Sequence, residues 1–91
     1  MQHRDWPRIE QIARTEVKKR EKLWPDTAGY LPQEHTKGVW AVGAMPGDRH
    51  GGVERIVILT ISDDGDVFAY QRFVDGKPFP NTEELQWEGL R

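Results

Sequence analysis

The sequence contains no cysteine. A disulfide framework, a thiol nucleophile and a metal site with cysteine ligands are therefore impossible. The three histidines are His3, His35 and His50, and their wide spacing differs from the short spacing of zinc ligands. We therefore predict that the protein binds no metal and needs no cofactor.

Long hydrophobic runs are also missing. The longest apolar stretches fall far short of the ~20 residues that a membrane-spanning helix needs. Residues 1–11 lack the apolar segment of a secretory signal. The absence of cysteine fits a reducing compartment. Together these features predict a cytoplasmic protein that does not enter a membrane.

The net charge is small, at −2. Proteins dedicated to duplex nucleic acid usually carry a larger positive excess. The charges are nevertheless uneven along the chain. Residues 1–22 hold seven basic and four acidic side chains, whereas residues 60–91 hold three basic and seven acidic ones. A basic N-terminal segment therefore precedes an acidic half.

Residues 53–74 carry the clearest structural pattern, which is that of a β-hairpin. Two runs rich in β-branched and aromatic residues, 56–61 and 67–74, flank the dipeptide Asp64-Gly65. Asp-Gly between such runs is typical of a tight turn, because glycine adopts a positive φ without penalty.

The loop length decides which residues pair across this hairpin. A two-residue loop pairs Ile61 with Phe68, Leu59 with Tyr70 and Val57 with Arg72 on one face. On the other face it places Ile56, Ile58 and Thr60 opposite Phe73, Gln71 and Ala69. A three-residue turn would shift this register by one. Under both registers the first strand is apolar on both faces, which is typical of a central strand.

The remaining segments are predicted as additions to this hairpin. Residues 6–24 show apolar residues at helical spacing, with Asp5 as a candidate cap and Pro25 as the stop. Residues 25–37 form a predicted linker. Residues 38–45 form a second predicted strand, followed by predicted strands at 54–62 and 67–74.

The C-terminal tail, residues 78–91, is predicted to be a short helix or irregular. We therefore predict a single α+β domain over residues 1–91. In this fold an N-terminal amphipathic helix packs on an antiparallel β-meander of three, possibly four, strands.

Two segments share some features with ligand-binding loops. Residues 63–66 do not form a calcium loop, because acids are missing from the required flanking positions. Residues 47–52 have the glycine content of a phosphate-binding loop but lack its lysine and hydroxyl residue. Arg49 and His50 at its tip are candidates for contacting an anion.

No catalytic constellation is visible, so we predict no enzymatic activity and no catalytic residue. An unrecognised small enzyme is the third hypothesis. It would need a pocket that gathers His50 with Glu54 or Asp48.

The leading hypothesis is a small protein-binding module that occupies the surface of a partner. It could be an inhibitor, an immunity-type or a regulatory partner, or it could form a homodimer through the sheet. The remaining chain is too short to cover the second sheet face, and an uncovered apolar patch usually marks an interface. The candidate residues are Trp6, Ile56, Ile58, Phe73 and Trp87.

The alternative hypothesis is nucleic-acid binding through the basic N-terminal helix. The candidate residues are Arg8, Arg14, Lys18, Lys19 and Lys22. The acidic second half of the chain opposes this alternative.

Overall fold

The computed structural model describes residues 4–21, 24, 28–47 and 54–79. A helix, α1 (Trp6–Arg20), precedes a single antiparallel sheet in the order β1-β2-β3-β4-β5. The strands are β1 (Gly29–Thr36), β2 (Val39–Met45), β3 (Arg55–Ser62), β4 (Val67–Val74) and β5 (Lys77–Phe79). The predicted α+β class and antiparallel meander are confirmed, and β3 is the central strand. The described residues include no helix with the length and hydrophobicity needed to cross a bilayer.

The prediction of three or four strands was wrong, because the described residues form a sheet of five strands. Strand β1 lies within the predicted linker, residues 25–37. Its proline, Pro32, suggested a connection, but an edge strand tolerates proline because one side of its backbone has no neighbour. The turn to β2 is Lys37-Gly38, where both residues have positive φ. This conformation joins two strands tightly but is uncommon for lysine.

Strand β5 lies at the start of the predicted C-terminal tail. It pairs with β4 through the turn Asp75-Gly76, where both residues again have positive φ. An Asp-Gly dipeptide is typical of such a tight turn. The helix or irregular structure predicted for the rest of the tail lies outside the described residues.

Helix α1 ends at Arg20, earlier than the predicted end at residue 24. Asp5 stands at the predicted cap position, but its backbone oxygen, not its side chain, accepts bonds from the amides of Arg8 and Ile9. At the other end Glu21 leaves the helical conformation and buries its carboxylate in the core. Pro25 is the only local signal in the sequence for the end of this helix. The earlier end depends on the burial of Glu21, which is a tertiary contact that the local sequence did not indicate.

The β3–β4 hairpin combines both predicted registers. The amide of Ser62 donates to the oxygen of Asp66, which leaves a three-residue turn between them. Ile61 therefore pairs with Val67, and the predicted pair Ile61–Phe68 was wrong. A β-bulge at Phe68 then restores the other register.

Beyond the bulge the predicted pairs are confirmed on both faces. They are Val57–Arg72, Leu59–Tyr70, Ile56–Phe73, Ile58–Gln71 and Thr60–Ala69.

The hydrophobic core lies between α1 and one face of the sheet, which we call the helix-covered face. Its central members on β3 are Val57, Leu59 and Ile61, all fully buried. From α1 the buried residues are Ile9, Ala13 and Val17, as the helical spacing predicted. Other core members are Trp24, Ala28, Tyr30, Trp40, Val42, Ala44 and Tyr70.

Candidate functional site

The opposite face of the sheet, which we call the open face, has no described helix or second sheet packed on it. It consists of the strand positions that share a side with Ile56, Ile58 and Thr60. Its larger apolar residues are Leu31, Val39, Met45, Ile56, Ile58 and Phe73. Its polar side chains include Gln33, Glu34, Thr36, Thr60 and Gln71.

The open face is unusual for its low charge. Among the described strand residues on this face, Glu34 is the only ionisable one. Leu31 is 58% exposed and Met45 is 41% exposed, whereas Ile58 is half-buried. A sheet face in contact with water usually carries polar and charged residues. This face instead mixes apolar residues with uncharged polar ones.

A shallow depression of about 240 Å³ lies at the end of the open face near the β1–β2 turn. Its lining residues are Glu34, Thr36, Val39, Trp40, Ala41 and Thr60. The carboxylate of Glu34 accepts a hydrogen bond from the Thr36 hydroxyl at 3.1 Å. The depression therefore combines an apolar floor with one negative charge.

The structure brings together three of the five predicted interface residues. Ile56 and Phe73 are cross-strand partners, and Ile58 lies on the same face. Trp6 lies on the other side of the sheet, where its ring packs 5.9 Å from the ring of Trp40. Trp87 lies outside the described residues.

The helix-covered face contains a buried polar cluster that the sequence did not suggest. Glu21 Oε2 accepts hydrogen bonds from the Tyr70 hydroxyl at 2.6 Å and from Arg72 Nε at 2.8 Å. The side chains of Glu21 and Arg72 are 0% and 3% exposed. Burial raises the pKa of Tyr70 far above its usual range, and the bond to Glu21 raises this pKa further. The cluster ties the C-terminal end of α1 to β4.

A second polar cluster joins four elements at the other end of the sheet. Asp63 Oδ1 accepts a hydrogen bond from Trp40 Nε1 at 2.8 Å and lies 2.8 Å from His35 Nε2. The rings of His35 and Trp40 stack at 4.2 Å. Arg8 on α1 donates to the backbone oxygen of Asp63. These contacts hold the hairpin turn, the β1–β2 hairpin and the helix together.

Neither cluster forms a metal site. Within the described parts of the chain, no group of three or more His, Asp or Glu side chains is placed to hold a metal ion.

Most of the basic side chains predicted to bind nucleic acid are paired with acids on α1. Arg14 lies 3.1 Å from Glu10, and its guanidinium also covers the ring of Tyr30. Lys19 lies 3.5 Å from Glu16.

Other pairs on the helix follow the same pattern. Arg20 lies 2.6 Å from Glu16, and its hydrogen bond is the main cause that lowers the pKa of this carboxyl. Arg8 lies 3.9 Å from Asp5. Lys18 is exposed, and Lys22 lies outside the described residues. The helix surface is thus a mixture of both signs.

The predicted anion-contact residues Arg49 and His50 also lie outside the described residues, as does Asp48. The predicted pocket of His50 with Glu54 or Asp48 therefore stays a prediction.

No protein-family model matches this chain, and no curated protein or solved structure is significantly similar to it. The functional argument therefore depends on the geometry described above.

Sequence reasoning missed Glu34 and both polar clusters. Glu34 lay in the predicted linker, so it was assigned to no sheet face. Glu21 follows a helix whose acids, Glu10 and Glu16, have a similar sequence context, and only the tertiary fold distinguishes Glu21 from them. Residues 29–36 carry no clear period-two alternation in sequence, because Tyr30 and Leu31 are adjacent and residues 33–36 are all polar.

Proposed function

We propose that this chain is a small, non-enzymatic protein-binding module whose partner surface is the open face. The observation that carries the proposal is the composition of that face, with Glu34 as the one ionisable residue among its described strand positions. Ile56, Ile58 and Phe73 lie together there. Apolar area that leaves water on binding contributes roughly 25 cal/mol per Å². A partner that covers these side chains would gain this free energy.

In one form of the proposal, the chain binds the surface of a larger protein, as an inhibitor, immunity-type or regulatory partner. In the other form, two copies of the chain form a homodimer through the sheet. A cytoplasmic location, expected from the composition, is part of the proposal.

The test is affinity capture from the native host's lysate with three versions of the full chain. They are the wild type, Ile58→Lys, and Gln11→Lys as the control. Ile58→Lys places a charge at the centre of the open face, whereas Gln11→Lys adds the same charge on the exposed side of α1. We expect the wild type and Gln11→Lys to capture the same protein and Ile58→Lys to lose it.

Circular dichroism should first show that all three chains are folded. Sedimentation of the three purified chains tests the homodimer form, which Ile58→Lys should dissociate. Retention of every partner by a folded Ile58→Lys, together with unchanged sedimentation, would exclude the open face as the binding surface.

Nucleic-acid binding through α1 stays a prediction. Running the capture at two salt concentrations would reveal it, because phosphate contacts weaken steeply as salt rises. The ion pairs along α1 give this alternative less support than the open face gives to protein binding.

A further inference from the structure

We infer that the open face binds a different protein through a segment that presents one lysine or arginine among apolar side chains. The cationic head of that residue pairs with Glu34. This inference rests on the proposed function and specifies the chemistry of the partner.

The depression beside Glu34 has the size of a subsite for one side chain. Its volume is about 240 Å³, below the roughly 300–1,000 Å³ of sites that hold small molecules. It opens on the same face as Ile58, so one binding segment can reach both places. An anchoring side chain from a partner is therefore a better occupant than a free ligand.

Glu34 has no basic partner among the described residues. Within the described residues, the exposed carboxylate of Glu34 accepts only the hydrogen bond from Thr36, and no Lys or Arg lies within ion-pair distance. By contrast, Glu10, Glu16 and Glu21 each pair with a basic side chain. Since no described Lys or Arg pairs with Glu34, a binding partner can supply the cation.

Lysine and arginine fit both parts of the depression. Their aliphatic stems pack on apolar surface while the charged head stays in a polar environment. Here the stem would lie over Val39 and Ala41, and the head would reach the carboxylate of Glu34. The hydroxyls of Thr36 and Thr60 line the same depression and can accept further hydrogen bonds.

Charge complementarity favours a different protein over a second copy of this chain. The described positions of the open face include no lysine or arginine. Packing two copies face to face would bury apolar side chains but would leave both Glu34 carboxylates without a cation. Removing an unpaired carboxylate from water is costly.

The experiment is selection from a random-peptide phage library on the immobilised full chain, with Ile58→Lys used to remove peptides that bind elsewhere. We expect the selected peptides to contain one lysine or arginine flanked by apolar residues. A synthetic selected peptide should bind Glu34→Gln about two- to fivefold more weakly than the wild type. Glu10→Gln removes a carboxylate on α1, on the other side of the sheet, and should bind as the wild type does.

Charge reversal separates an ion pair from a structural role of Glu34. Glu34→Lys should lose the selected peptide and should gain binding of the same peptide with its basic residue changed to glutamate. A variant that merely perturbs the sheet would not recover binding in this way.

The outcomes that overturn the inference differ from those that overturn the proposed function. Selected peptides that lack a basic residue, bind Glu34→Gln normally and fail to bind Ile58→Lys would overturn the inference alone. A dimer of the wild type that Ile58→Lys dissociates would also overturn it, because the partner would be a second copy. No enrichment over Ile58→Lys, together with a wild-type chain that sediments as a monomer, would overturn both.

Discussion

The two faces of the sheet distribute charge in the opposite way from most antiparallel sheets with one covered side. The helix-covered face carries Arg55, Arg72 and Tyr70 and receives the carboxylate of Glu21, all of them buried. The open face has one ionisable residue, Glu34, among its described strand positions.

This difference shows where charged groups and where apolar side chains can be stabilised. A buried charge is tolerated only when a partner is held at a fixed distance, and the helix supplies that partner within the monomer. Apolar side chains need no such geometry, so a second molecule can cover them. The covered face therefore holds the buried ionic contacts of the fold, whereas the open face is the proposed binding surface.

The largest expected effect on stability comes from removal of the buried carboxylate. Glu21→Ala should lower the free energy of unfolding by about 3–5 kcal/mol, because it leaves Arg72 buried without its counter-ion. Urea denaturation measures the change. Glu10→Ala breaks a half-exposed pair on the same helix and should cost about 0.5 kcal/mol or less. Similar losses for both variants would show that the cluster is hydrated.

A paired comparison tests the two faces directly. Leu59→Ala should lower the free energy of unfolding by about 2–5 kcal/mol, because Leu59 is fully buried in the core. Ile58→Ala, one position away on the open face, should cost about 1 kcal/mol. Urea denaturation of the monomer at low concentration checks both values. An equal cost at the two positions would mean that the open face is covered within the monomer.

The pH dependence of stability should report on the Tyr70 hydroxyl. Its folded pKa is raised above the ordinary value of about 10, so the unfolded chain loses this proton first as pH rises. The stability that the buried hydroxyl contributes is therefore fully present below pH ~10 and is lost progressively above it.

Tyr70→Phe should reduce this alkaline loss and should lower stability at neutral pH by about 1.5–3 kcal/mol, through the lost bond to Glu21. Thermal melts between pH 7 and about pH 11 measure both effects. Burial also raises the pKa of Tyr30, so part of the alkaline loss should persist in the variant. An unchanged alkaline profile would contradict the assignment to Tyr70.

The smallest effect is expected at the β-bulge. Phe68 is 66% exposed, so Phe68→Ser should change the free energy of unfolding by no more than about 0.5 kcal/mol. Thermal denaturation checks this value. A larger loss would indicate that the Phe68 side chain contributes packing that its exposure does not show.

Local sequence patterns determined the class of the fold and its central hairpin. The alternation in residues 56–61 and 67–74 predicted which side chains share a face, because a strand places successive residues on opposite sides. The spacing of Ile9, Ala13 and Val17 likewise predicted the buried side of α1. Ile56, Ile58 and Phe73 were identified as one surface by the same reasoning, since cross-strand partners must lie together.

Only the tertiary structure decided which residues carry specific interactions. Strand β1 contains Pro32 and is joined by Lys37-Gly38, so its local sequence resembles a linker, and its strand conformation depends on pairing with β2. The bulge at Phe68 compensates for a turn length that the sequence left open. Glu21 and Glu34 are chemically identical, yet one is buried against Arg72 and the other is exposed on the open face. Their different roles depend on contacts between residues far apart in the chain, which no local pattern encodes.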